Sequence, residues 1–213
     1  MLTSQQITNM LELQDRLNRH VNPGWKNAGY DWPMAIMAEC TELADQVGWK
    51  WWKHQPQAPL TQIHLEVVDI WHFVLSTYLE LDRTEDLGAK ILIEPDHWCE
   101  GEPLDPQYAI RRAKVLAATA GLYPSVSMRL VPEFFSLMRA VRLSFDELYA
   151  LYMAKAMLNL FRWDNGYREG SYQKQWGDVE DNVYLESILH GCPNLPHEQI
   201  TTLLQQRYQE IIS

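Results

Sequence analysis

The sequence predicts an all-α protein. Apolar residues recur at intervals of three and four over long stretches, capping residues stand where those stretches begin, and no alternating strand pattern survives counting. With 213 residues, 46% of them hydrophobic, the chain suits one compact domain, or one domain carrying a large insertion.

Thr3 and Gln6 form a capping box, and Ile7, Met10, Leu11, Leu13 and Leu17 carry a first helix to about His20. Pro23, Gly24 and Gly29 predict a loop from Val21 to Tyr30. Pro33 suits the first turn of a second helix, which runs through MAIMAECTELADQV to Gly48. WKWWKHQPQAP, aromatic, basic and then broken by proline, reads as a loop or a frayed helix end. Thr61 is placed to cap a third helix, TQIHLEVVDIWHFVLSTYLEL, whose apolar face is broad enough to be mostly buried.

Asp82 to Pro106 is mixed and turn-rich, with Pro95, Gly101 and Pro103 along it, and shorter helices are expected near Tyr108–Leu122 and Val131–Leu143. Ser144 and Glu147 form a second capping box for FDELYALYMAKAMLNLFRW, which ends at Asn165-Gly166. A Gly- and aromatic-rich loop, GYREGSYQKQWGDVEDN, follows. A short helix near Val183–Leu189 and a last amphipathic helix after Pro196 finish the chain.

Eighteen basic against 28 acidic side chains give a formal charge of -10. Such a surface repels a phosphate backbone, which argues against general nucleic-acid binding. A small anionic substrate stays compatible, because a metal ion reverses the field around carboxylates. Cys40, Cys99 and Cys192 are an odd number without metal-ligand spacing, so no disulfide framework is expected and a reducing cytoplasm is the default. The first residues lack a signal-peptide core and no stretch has the length and apolarity of a membrane span, so no membrane partner is expected.

Two acid pairs carry the chemistry. Glu39 and Glu42 on the second helix, and Glu66 and Asp69 on the third, are each spaced i, i+3 and so share a helix face. Both pairs interrupt apolar runs, where a carboxylate is costly unless paired or metal-bound. Two facing antiparallel helices would gather four acids into an oxygen cluster suited to Mg²⁺. The plain alternative is a pair of solvated helix faces. A di-iron site is a rival, since His72 follows Asp69 at i+3 and His64 stands a turn earlier. It needs a Glu-x-x-His motif on each of two helices, and the second helix has no histidine. His72 therefore reads as a packed or hydrogen-bonded core residue.

Lys155, Asn159 and Arg162 make one polar stripe at i, i+4, i+7, and the next loop adds Arg168 and Lys174 among Gly166, Gly170 and Gly177. These cations, concentrated in an acidic chain, suit phosphates; an ordinary solvated face is the alternative. Trp49, Trp51 and Trp52 could stack a base or serve as a packing anchor.

The blocks LELQDRLN, DW at Asp31-Trp32, AECTELADQVGWKWWK, LEVVDIWHFVLS and KAMLNLFRWDNGYREGSYQKQWGDVEDN occur in order. Together they resemble the dimeric, all-α dUTPases of the all-α NTP pyrophosphohydrolase superfamily. The carboxylate motifs indicate the superfamily; the last block, with NGY-x-x-G-x-Y and EDN, favours the dUTPase branch.

The resemblance implies a helical bundle forming one catalytic domain, 1–213, with about 83–143 as a variable, mobile cap. It implies Mg²⁺, with Mn²⁺ as a substitute, on Glu39, Glu42, Glu66 and Asp69, and Glu39 as the group that orients or deprotonates water. Gln14 and Asn18 match a uracil and sugar pocket, and Phe73 matches an aromatic that stacks on the base. Lys155, Asn159, Arg162, Lys174 and Asn182 match groups that hold sugar and phosphates; Arg168 stands where lysine is usual. The implied reaction is hydrolysis of dUTP, and of dUDP, by a cytoplasmic homodimer. A relative acting on dCTP and a non-catalytic helical partner protein are the alternatives.

Overall fold

A computed structural model describes residues 2–93, 104–122, 129–191 and 195–212 of the protein. Among them the chain forms nine α-helices and one two-stranded ribbon. Its contacts divide it into two compact units, Met1–Tyr149 and Ala150–Ser213.

In the first unit, α1 (Ser4–Val21) starts on the expected capping box. Thr3 Oγ1 accepts from Gln6 N at 3.2 Å, and Thr3 N donates to Gln6 Oε1 at 2.8 Å. A 3-10 turn, Trp25–Asn27, leads to α2 (Trp32–Val47). Asp31 caps α2 through Met34 N, Pro33 fills its first turn, and Gly48 closes it at φ 84°. A Cβ on Gly48 would stand 2.8 Å from Gln55 O, so the loop return and the dihedral both require glycine.

The longest helix, α3 (Leu60–Glu80), lies at the heart of this unit, packed by α1, α2, α4 (Thr84–Ile93) and α6 (Leu130–Ala140). A further helix, α5 (Pro106–Gly121), lies on α2 and α6. Trp71 stacks on Phe134 with ring centroids 4.5 Å apart, and Phe135 follows at 6.0 Å.

Two expectations in this unit need correction. Pro59, not Thr61, precedes α3, and no side chain caps it; Thr61 already lies in the first turn, where proline at the boundary sets the entry by its fixed φ. The turn-rich stretch after Asp82 contains α4, opened by Thr84, Glu85 and Asp86 and held by the buried Leu87 and Ile91. The expectations at Pro95, Gly101, Pro103, Cys99 and Cys192 lie outside the described residues.

The second unit takes α7 (Phe145–Asp164) from Ala150 onward, then β1 (Gln175–Trp176), β2 (Val179–Glu180), α8 (Asp181–Gly191) and α9 (His197–Ile212). The ribbon departs from the loop expected here. Gln175 pairs with Glu180 and Trp176 with Val179, and Gly177, at φ 69°, makes the tight turn. Strands of two residues carry no periodicity to read. Around Trp176 the unit builds an aromatic core: Tyr208 lies 5.5 Å from it, Phe161 5.9 Å, and Tyr172 stacks on Tyr208 at 5.1 Å.

Candidate functional site

Along α3, every residue from Ile63 to Leu79 is buried except Glu66, Asp69 and Phe73. These stand at i, i+3 and i+7, one stripe of the helix left partly open in an otherwise packed element. The stripe spans roughly 10 Å at the helical rise, with carboxylates at one end and an aromatic ring at the other.

Glu39 and Glu42 of α2 meet the acidic end. Glu39, Glu42 and Glu66 each offer a carboxylate oxygen, and these atoms lie within 4.8 Å of one another. Gln46, a turn beyond Glu42, donates to Glu66 Oε1 at 3.3 Å. Asp69 lies outside this group, one turn further along the open stripe of α3. Cys40, beside Glu39 in the chain, is buried; that burial and the charge of Glu39 push its thiol up to about 12.

At the aromatic end a buried polar network joins α1 to α3. Gln14 Nε2 donates to Asn18 Oδ1 at 3.0 Å and to Ser76 Oγ at 3.1 Å. Asn18 Nδ2 donates to Ser76 Oγ at 3.0 Å, and Ser76 Oγ donates to His72 O at 2.8 Å. His72 Nδ1 stands 2.7 Å from Gln14 Oε1. His72 is thus the hydrogen-bonded core histidine expected of it. Gln14, Asn18, His72 and Ser76 are all at most 9% exposed, which makes this a dense set of polar groups inside a core.

Next to this network, Trp25, Trp32 and Leu79 form a buried cluster with Leu11 and Phe73. Trp32 lies 5.9 Å from Trp25 and 6.2 Å from Phe73. Its indole Nε1 is buried with no acceptor among the described residues. A buried donor left unmade costs about 1–3 kcal/mol, so this atom is an unsatisfied group within the aromatic cluster. Ser76 and the Trp32 donor were not singled out in the sequence. Serine in a helix carries no pattern, although the i, i+4 spacing of His72 and Ser76 places both on one face of α3, toward α1.

In the second unit Lys155 and Arg162 are buried, at 2% and 7% exposure, as few cations are without partners. Arg162 meets the fully buried Asp181 side-on, Nε to Oδ2 at 2.8 Å and an Nη to Oδ1 at 2.7 Å. It also donates to Asn159 Oδ1 at 3.2 Å and Asn182 Oδ1 at 3.0 Å, and Lys155 Nζ donates to the same Asn182 oxygen at 3.0 Å. Tyr172 Oη donates to Asp181 Oδ2 at 2.8 Å; burial first, and then the charge of Asp181, raise its pKa and keep it protonated. Lys155, Asn159, Arg162 and Asn182 therefore come together, while Arg168 and Lys174 sit exposed on the loop. Asp181 was missed: its partner lies 19 residues away across a hairpin.

The tryptophan run after α2 forms an open turn. Trp51 and Trp52 are exposed, and Trp49 donates to Asp45 Oδ1 at 2.6 Å.

No helix among the described residues is long and apolar enough to cross a membrane. A comparison with curated proteins found no match. A family profile described as dUTPase matches residues 6–167, well over half of the chain; it takes in Glu39, Glu42, Glu66, Asp69 and the α1–α3 polar network and ends before Tyr172, Asp181 and Asn182. The helical architecture and this match agree, and the chain belongs to the all-α dUTPase family, hydrolases of dUTP.

Proposed function

We propose that this dUTPase cleaves dUTP to dUMP and pyrophosphate with Mg²⁺ held by Glu39, Glu42, Glu66 and Asp69, Mn²⁺ being able to substitute. The observation that carries the reading is the approach of three carboxylates from two helices to within 4.8 Å. An all-oxygen donor set of that kind fits a hard divalent cation, which keeps water ligands and takes phosphate oxygens as well. Bound there, Mg²⁺ would supply charge neutralisation on the phosphate chain and a lowered pKa for water.

The residues supply the rest. Glu39 orients the attacking water and accepts its proton on a carboxylate oxygen. Water oxygen bonds to phosphorus as the bridging P–O bond to dUMP breaks, and attack at the β-phosphorus makes dUDP a substrate too. Lys155, Asn159, Arg162, Arg168, Lys174 and Asn182 hold sugar and phosphate oxygens.

Phe73 packs on the base, and Gln14 and Asn18 address its edge. Asn18 keeps a second amide hydrogen beyond its bond to Ser76, and Trp32 Nε1 is a further donor. Donors suit the two carbonyls of uracil; cytosine puts an amino group in place of one of them. Family likeness supports about 83–143 as a variable cap and the enzyme as a homodimer, and three cysteines without metal-ligand spacing support the cytoplasm.

The test is product analysis on a panel of deoxynucleotides with and without Mg²⁺. Hydrolysis of dUTP leads, dUDP is cleaved, and ¹⁸O from water enters pyrophosphate rather than dUMP. Glu39→Gln abolishes turnover with the thermal midpoint retained. Preferred cleavage of dCTP, or turnover undiminished in chelator, defeats the reading.

A further inference from the structure

The cations of the second unit do not present themselves alone; they organise two amides. Lysine and arginine only donate, so the side chains of Asn159 and Asn182 must turn their Oδ1 atoms toward Lys155 and Arg162. Their Nδ2 groups then face away, and neither donates to another described residue. Both asparagines are half-exposed, whereas the groups behind them are buried. What the face offers a ligand is a set of N–H donors, and the complementary chemistry is a run of anionic oxygens.

Arg162 holds this pattern only while it is itself held. Its guanidinium is planar and forked, and Asp181 grips two adjacent N–H groups while Tyr172 steadies the second carboxylate oxygen. Asp181 is fully buried and touches no solvent, so it cannot meet substrate. We propose that Asp181, latched by the Tyr172 hydroxyl, is a positioning residue for the reaction: through Arg162 it fixes the amide orientation of Asn159 and Asn182, and so makes the face a phosphate-binding one. This rests on the proposed reading that Asn159 and Asn182 hold the nucleotide.

Simple electrostatics predicts the opposite sign. Asp181 cancels the charge of Arg162, so removing its charge leaves the face more positive and should tighten phosphate binding. Positioning predicts weaker binding, because a freed guanidinium lets the amides turn and aim carbonyl oxygens at phosphate.

The experiment measures affinity of a non-hydrolysable dUTP analogue and of dUMP by calorimetry in four full-length variants. Asn159→Ala and Asn182→Ala test the underlying reading: each should weaken the analogue relative to dUMP by about tenfold, the scale of one charge-assisted hydrogen bond. If neither does, the face does not hold the phosphate chain and the reading fails.

Asp181→Asn and Tyr172→Phe test the positioning. Both should weaken the analogue relative to dUMP in the same sense, and Tyr172→Phe should do so with a thermal midpoint lowered by only a few degrees, about the cost of one lost hydrogen bond, since it keeps the ring against Tyr208. If Asp181→Asn does not fold, Tyr172→Phe decides alone. Unchanged or tighter analogue binding in Tyr172→Phe, with the asparagine variants weakened, overturns the role of Asp181 and leaves the reading standing.

Discussion

His72 Nδ1 lies 2.7 Å from Gln14 Oε1, and this contact fixes the chemistry of both side chains. Gln14 uses its amino hydrogens on Asn18 and Ser76, so its oxygen is the acceptor and His72 carries a proton on Nδ1. Four buried groups from two helices thereby hold a single arrangement, which suits a pocket that must tell one base from another.

Gln14→Glu keeps the shape and removes both donations. The expected loss in kcat/KM for dUTP is about 10- to 100-fold, from roughly 1–3 kcal/mol of broken buried hydrogen bonds. The ratio of dUTP to dCTP turnover should fall with it. Steady-state kinetics on the two nucleotides checks this, and an unchanged ratio removes Gln14 from base recognition.

The acid trio predicts effects of opposite sign with and without metal. Three carboxylates within 4.8 Å repel one another, on the order of 1 kcal/mol per pair in a well-solvated setting. Glu42→Gln should therefore hold or raise the thermal midpoint in chelator, by up to about 4 °C. In Mg²⁺ the same variant should lose most of the metal-induced rise. Calorimetric scans in both buffers test it; an equal Mg²⁺ shift in variant and parent excludes Glu42 as a ligand.

Much of this was legible in the chain, for physical reasons that differ by residue. Periodicity announces α1, α3 and α7, capping boxes announce α1 and α7, and acids interrupting apolar runs announce Glu39, Glu42 and Glu66. Helix α4 escaped because ten residues among prolines and acids give a weak period, although Thr84, Glu85 and Asp86 before Leu87 and Ile91 are a usable start signal. Asp69 reads from spacing as the equal of Glu66, yet three residues carry it a turn along the axis from the trio. Asp181 and Ser76 stayed hidden because each acts on a partner brought by another helix, and no local pattern records such a meeting.

His64 predicts the response to acid. Its Nε2 lies 2.9 Å from Val141 O, and burial lowers its pKa below 6.5, while that hydrogen bond and the charge of Glu147 oppose the shift without reversing it. The folded state binds this proton less readily than the unfolded chain. Its contribution is thus present above pH 6.5 and is lost as pH falls toward the folded value. His64→Gln should show a shallower decline of thermal midpoint than the parent as pH falls below 6.5. Parallel curves would mean that other groups dominate the acid limb.

Cys40 and Tyr78 predict the alkaline limb. Burial and then Glu39 push the Cys40 thiol from 9.0 to about 12, and burial and then Asp86 push the Tyr78 hydroxyl from 10.0 to about 12. Both groups keep their protons better folded than unfolded, so their contribution is full below pH 9 and drains away as pH climbs toward 12. At pH 8 Cys40 is therefore held as the thiol, and the reactive form is the thiolate. In a Cys99→Ser, Cys192→Ser background, a thiol reagent should therefore leave the native protein unmodified over hours and titrate one group at once in denaturant. Cys40→Ala should lose less stability than the parent between pH 9 and 12. Rapid native labelling at pH 8 would show that α2 opens around Cys40, and that the trio beginning at Glu39 is not held on a rigid frame.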